Sequence, residues 1–126
     1  RINFQVLDDM TPYDETFLAI FSLGCVVAAV PSFLAGCLPG SSWSGVLLIT
    51  GFLAFWATVV MASDMGYRVW QSMPDAPSEA FSDASASGAL LFGWLSAGIF
   101  CLTVFGFGRG ARWLLHWANS DFFTHR

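Results

Sequence analysis

Residues 16–38 read TFLAIFSLGCVVAAVPSFLAGCL, 23 residues without one charged side chain. As an α-helix this segment would be about 34 Å long, more than the roughly 30 Å of a bilayer's hydrocarbon core. Because it is both long and uncharged, we expect it to cross a membrane completely.

The residues around this segment predict how its helix begins and bends. Thr11, Pro12 and Asp14 supply a hydroxyl cap, a proline at the first helical position and an acid in the first turn, which are typical of a helix start. Pro31 removes one backbone donor and leaves the carbonyl of Val27 without its helical partner. We therefore expect a kink near Val27 and Pro31.

Two further uncharged segments follow, at residues 43–62 (WSGVLLITGFLAFWATVVMA) and 89–108 (ALLFGWLSAGIFCLTVFGFG). Between them, residues 71–88 are rich in Ser, Pro and Asp and predict a hydrophilic loop. Residues 110–123 carry Trp, Leu and Phe and predict a short interfacial helix. The predicted fold is all-α and integral to a membrane, with three transmembrane helices and a short C-terminal interfacial helix in a single domain, 1–126.

The composition supports a membrane protein and excludes some functions. Hydrophobic residues make up 56% of the chain and charged residues 11%, against roughly 25% charged in an ordinary soluble domain. So few charges do not cover a soluble surface, and so small a domain does not bury this much apolar area. The net charge is −4 and there is no lysine, so we do not expect nucleic acid as a partner.

The arginines give a prediction of orientation, because basic residues near span ends favour the cytoplasmic side. Arg109, Arg112 and Arg126 follow the third segment, whereas Arg1 and Arg68 lie on the other side of the membrane in a three-span topology. We therefore expect the carboxyl terminus on the cytoplasm-equivalent side. The predicted location is a bacterial inner membrane or an organelle membrane, crossed several times.

The three segments contain no Asp, Glu, His, Lys or Arg. Ionisable groups inside a membrane usually mark proton relays, ion paths or ligand sites, so a proton carrier or an ion-coupled transporter working alone is disfavoured. No nucleophile set is evident, and we predict that the chain is not an enzyme. The three cysteines lack metal or redox spacing and are interpreted as packing residues: Cys25, Cys37 and Cys101.

Small and hydroxyl residues predict how the helices pack. Gly24 with Ala28, and Gly93 with Ala97, lie four residues apart, a spacing that allows close helix approach within the chain or against another subunit. For the hydroxyl groups we expect bonds to a carbonyl one turn back or to a neighbouring helix. They belong to Ser22, Ser32, Ser44, Thr50, Thr58, Ser96 and Thr103.

His116 is the candidate cofactor-binding residue. A neutral imidazole at the membrane boundary can ligate a haem iron or a chlorophyll magnesium, and Trp113 and Trp117 are its neighbours along the helix. The alternative is an interfacial histidine that points its polar tip to the headgroups. The cofactor prediction is accordingly a chlorophyll-type pigment or a lipid.

The functional prediction follows from the absence of ionisable residues in the three segments and from the small residues that favour helix packing. We expect a noncatalytic accessory or structural subunit of a larger energy-transducing complex, photosynthetic or respiratory, whose partners are other membrane subunits and lipids. Size and span number are similar to those of small subunits in such complexes, a likeness of shape without a matched motif. The alternative is a self-assembling pore or holin-like protein, which requires a polar stripe along one span.

Overall fold

A computed structural model describes residues 10–38, 40–81 and 85–123 of the chain. Helix α1 is Pro12–Cys37, helix α2 is Ser42–Gln71, a short 3-10 helix is Ser78–Phe81, and helix α3 is Ser85–Phe123. Each α-helix is long and apolar enough to cross a membrane. The prediction of an all-helical chain with three spanning helices is confirmed.

The start of α1 is fixed by the residues that the sequence indicated. The backbone N–H of Asp14 donates to the Thr11 hydroxyl (3.3 Å), and the backbone N–H of Thr11 donates to the Asp14 carboxylate (3.0 Å). This reciprocal capping box satisfies two backbone donors, and Pro12 occupies the adjoining position, where no donor is needed.

A short turn joins α1 to α2 at one end of the bundle. Ser41 caps α2 by accepting a hydrogen bond from the Trp43 backbone (3.1 Å). The Ser44 hydroxyl donates across the hairpin to the Ala35 carbonyl (2.6 Å), which ties the two helices together. Gly40 has φ +48°, a left-handed backbone that glycine adopts without steric cost.

At the other end, the start of α1 packs against the end of α2. Tyr13 lies 4.6 Å from Tyr67 and 6.4 Å from Trp70, measured between ring centroids. The side-chain amide of Gln71 donates to the Ala80 carbonyl (2.8 Å), which holds the 3-10 helix against α2. The start of α1 and the loop after α2 therefore share one end of the bundle, and α3 ends at the opposite one.

Small residues line the surfaces where the helices meet. A side chain on Gly24 would overlap Thr58 of α2, and one on Gly93 would lie 3.1 Å from the Trp56 ring. The closest approach of α1 and α3 is at Gly36 and Gly108, where a side chain on either would overlap the other helix's backbone. The spacing predicted packing within the chain or against another subunit, and Gly24 and Gly93 pack within the chain.

The core is thin, as expected for three helices. Ala28, Phe55, Ala97 and Cys101 are buried together, one or two from each helix. Phe55 is the large residue among them, 3% exposed, and its ring contacts those of Phe21 and Phe100 at centroid distances of 5.5 and 4.7 Å. The described interior thus holds a central group of three aromatic rings beside small side chains.

The hydroxyl groups in the spans bond as predicted. Six of them donate to a carbonyl three or four residues earlier on their own helix, and that of Ser44 donates to α1. The six are Ser22, Ser32, Thr50, Thr58, Ser96 and Thr103. The cysteines are unpaired thiols: Cys101 is in the core, and the Cys37 thiol lies 3.6 Å from the Gly108 carbonyl.

The helices extend further than the predicted spans. Helix α2 continues nine residues past residue 62, and α3 begins at Ser85, so part of the predicted 71–88 loop is helical. A separate interfacial helix is not present: α3 runs unbroken through Gly108 and Gly110 to Phe123. The apolar pattern marks where lipid ends, whereas the backbone hydrogen bonds of a helix continue beyond it. Helix α1 is also continuous through Pro31, and its kink stays a prediction.

Candidate functional site

Charged side chains lie at the two ends of the bundle and differ in sign. The end with the α1 start carries Asp14, Glu15 and the pair Asp64 and Arg68, whose carboxylate oxygen and Nε are 2.8 Å apart. At the opposite end, the backbone of Arg109 lies against Gly36 near the end of α1, and Arg112 follows one turn later. The α1–α2 turn at this end has no charged residue. The bundle therefore presents one basic end within the described ranges. Arg1 and Arg126, also used in the orientation prediction, lie outside them.

Four side chains of α3 form what we call the basic-aromatic face: Arg109, Arg112, Trp113 and His116. Their spacing of i, i+3, i+4 and i+7 places them on one side of the helix. They line an open groove of about 300 Å³. Because α3 continues past the last residues of α1, this face is exposed to its surroundings, and Trp113 is 67% exposed.

The arginines of this face have no acidic partner in the part of the chain that the structure describes. Arg109 has its guanidinium carbon 6.0 Å from the centre of the Phe105 ring, at the outer limit of a cation–π contact. The backbone at Arg109 lies against Gly36 of α1, which fixes the position of the helix at this level. The face therefore offers two guanidinium groups available to a ligand.

His116 lies on this face, and its role as a cofactor ligand stays a prediction. The imidazole is exposed and has Arg112 one turn before it. The sequence prediction paired His116 with Trp113 and Trp117; the groove contains Trp113, and Trp117 is not among its lining residues. In the sequence, Arg109 and Arg112 give evidence of orientation, and their spacing to His116 also places them on the same helical face.

An apolar groove lies about two turns of α3 before the basic-aromatic face, toward the middle of the span. It has a volume of about 290 Å³ and is lined by α2 and α3 residues, including Phe52, Gly98 and Leu102. The α3 positions 98, 101, 102, 105 and 109 follow one another at helical spacing, so the apolar groove and the basic-aromatic face lie on the same side of α3.

Near its C-terminal end, the outer surface of α3 also has two uncovered glycines. Gly106 and Gly110 are four residues apart, and among the described atoms none lies within 4 Å of where a side chain on either would begin. Gly108, between them in sequence, packs against α1 instead. The same short segment thus uses one glycine inside the bundle and exposes two outside it.

No protein-family model, curated protein or solved structure matched this chain. Its function is therefore argued from the geometry of these surfaces.

Proposed function

We propose that the chain is a noncatalytic accessory subunit of a larger membrane assembly, in which it packs against other membrane proteins. The observation that carries this proposal is the exposed pair Gly106 and Gly110 on the outer side of α3. Two small residues four apart allow the backbone of a second helix to approach closely in lipid. Within the bundle, glycines of this kind are covered by a neighbouring helix.

The interior of the bundle supports the same proposal. The Ser32 hydroxyl, which is fully buried, donates to the Ala28 carbonyl at 2.8 Å. The buried core consists of Ala28, Phe55, Ala97 and Cys101, while many large aliphatic side chains are exposed on the outside of the bundle. Such a molecule places its contact area on the outside, where lipid or partner helices cover it.

We propose that the basic end of the bundle faces the cytoplasm-equivalent side, since two of the described arginines, Arg109 and Arg112, lie there and one, Arg68, lies at the other end. We also propose that α3 passes through the headgroup layer near residues 110–113. That the assembly is respiratory or photosynthetic, and that His116 holds a pigment, stay predictions from the sequence.

The test is purification of the tagged full chain from its native membrane in a mild detergent, followed by native electrophoresis and mass spectrometry. We expect the chain to migrate within a larger complex. Gly106→Leu should release it, because a leucine at this position blocks close helix approach. Gly45→Leu is the matched control, since Gly45 on α2 is equally open and is not part of the glycine pair.

Two results would overturn the proposal. The first is migration of the wild-type chain by itself under conditions that preserve known complexes of the same membrane. The second is activity of the purified chain alone, either ion conduction in liposomes, which the pore alternative predicts, or turnover of a substrate.

A further inference from the structure

We propose that the basic-aromatic face of α3, together with the apolar groove below it, binds one anionic phospholipid: the face binds the headgroup phosphate and the groove holds an acyl chain. This inference goes beyond the accessory role, because it requires no partner subunit.

The depth of the face in the membrane is the first argument. Helix α2 is uncharged over residues 42–63 and α3 over residues 85–108, about 33 and 36 Å of helix, which matches a hydrocarbon core of roughly 30 Å. Arg109 is the first charge beyond that core, and Arg112 follows about 4.5 Å further along the axis. Both guanidinium groups therefore lie at the level of the lipid phosphates.

The chemistry of the face is the second argument. Guanidinium groups bind phosphate oxygens through paired N–H donors, and these two have no carboxylate partner among the described residues. Trp113, whose ring is apolar and whose indole N–H is a donor, is suited to the boundary between chains and headgroups. The adjacent α1–α2 turn carries no acid that would compete for the arginines.

The apolar groove distinguishes a lipid from a soluble anion. Gly98 and Leu102 of α3 line it together with Phe52 of α2, and they share a side of α3 with Arg109. From Gly98 to Arg109 the axial distance is about 16 Å, within the length of one acyl chain. A molecule with a phosphate at one end and a hydrocarbon chain at the other fits both parts, whereas free phosphate fits only the face.

The experiment uses the purified full chain in nanodiscs of phosphatidylcholine that contain a minor fraction of phosphatidylglycerol. After mild extraction, native mass spectrometry measures the ratio of the two lipids that remain bound. We expect phosphatidylglycerol to be enriched over its bulk fraction. Each arginine near a charged lipid surface contributes about fivefold, so the variant R109Q/R112Q should lower the enrichment by up to about 25-fold at low salt.

Arg68→Gln is the matched control, because it removes the same charge from the opposite end of the bundle and should leave the enrichment unchanged. Far-UV circular dichroism checks that both variants fold. If R109Q/R112Q does not fold, the salt dependence of the wild type tests the proposal. At 1 M salt the screening length is about 3 Å, so the enrichment of phosphatidylglycerol by the wild type should fall toward the bulk ratio.

Four results would overturn the proposal: no enrichment in wild type, equal enrichment in R109Q/R112Q, an equal loss in R68Q, or enrichment that persists at 1 M salt. Displacement of the bound lipid by millimolar inorganic phosphate at constant ionic strength would also overturn it, in favour of a soluble-anion site. The measurement is made on the isolated chain, so it is independent of the accessory role, which is tested separately by migration with a complex and by the activity of the chain alone.

Discussion

Three glycines within five residues of α3 allow a sharp test of the packing. Gly108 faces α1, whereas Gly106 and Gly110 face outward. Alanine at an exposed helical position stabilises a helix by roughly 0.5–1 kcal/mol relative to glycine. The variant Gly106→Ala should therefore be slightly more stable than the wild type.

Gly108→Ala should behave in the opposite way. A side chain there would overlap the Phe33 carbonyl oxygen and lie 3.2 Å from the Cα of Gly36, both of them backbone atoms that cannot rotate away. Helices α1 and α3 must then move apart, and a gap of 0.5–1 Å already forfeits a quarter to a half of each dispersion contact along the interface. Overpacking costs about 1–3 kcal/mol, so we expect a net loss of about 1 kcal/mol after the gain from alanine.

The assay is reversible unfolding of the purified chain in mixed micelles of mild detergent and dodecyl sulfate, followed by far-UV circular dichroism. Gly108→Ala should unfold at a lower dodecyl sulfate fraction than the wild type, and Gly106→Ala at an equal or higher one. The predicted difference between the two variants is about 2 kcal/mol, because the gain from alanine is common to both and the overpacking cost is not. Equal stability of the two variants would refute the assignment of Gly108 to the α1–α3 contact.

Three further predictions concern the other helix contacts. Gly24→Leu should lower the stability of the bundle by about 1–3 kcal/mol in the same assay, because its side chain overlaps Thr58, and Gly45→Leu, in open space, should not. Thr11→Ala should cost about 1 kcal/mol by removing the capping box; an unchanged midpoint would show that the cap does not stabilise α1. Pro31→Ala should straighten α1 where it borders Gly51 and weaken assembly more than Phe33→Ala, as native electrophoresis would show; equal assembly would leave Pro31 without that role.

The number of spans could be predicted from the sequence, and the lengths of the helices could not. An uncharged segment of 20 or more residues has few alternatives to a membrane crossing. The residue at which a helix ends is harder to predict, because residues such as Arg112 and Trp113 allow a helix to continue outside the hydrocarbon. For this reason α3 extends as one helix through the segment that was predicted to be separate.

The sequence also could not predict which glycines of different helices pack against each other. Gly36 and Gly108 form the closest contact between α1 and α3, yet nothing in their spacing distinguishes them from Gly45 or Gly106. When every side of a helix is apolar, the pattern of residues does not show which side faces a neighbour. The structure shows how each helix is rotated about its axis. It therefore shows which glycines are covered by a neighbouring helix and which are not.

The candidate site was partly readable from the sequence. His116 and its aromatic neighbours were recognised, and the spacing of Arg109 and Arg112 to His116 places all three on one helical face. The groove on the α2–α3 side below them depends on how Phe52 and Gly98 meet across two helices. A contact between residues so distant in sequence has no local signal.

The most direct test of the account is the side of the membrane on which the loop and the end of α3 lie. Single cysteines at Ser78 and Ser120, introduced separately, are labelled in sealed vesicles with a membrane-impermeant maleimide; the parent chain, whose native cysteines lie within α1 and α3, gives the background. Three crossings predict that the two sites react from opposite sides, with Ser120 on the cytoplasm-equivalent side. Labelling of both sites from the same side would contradict the three-span topology.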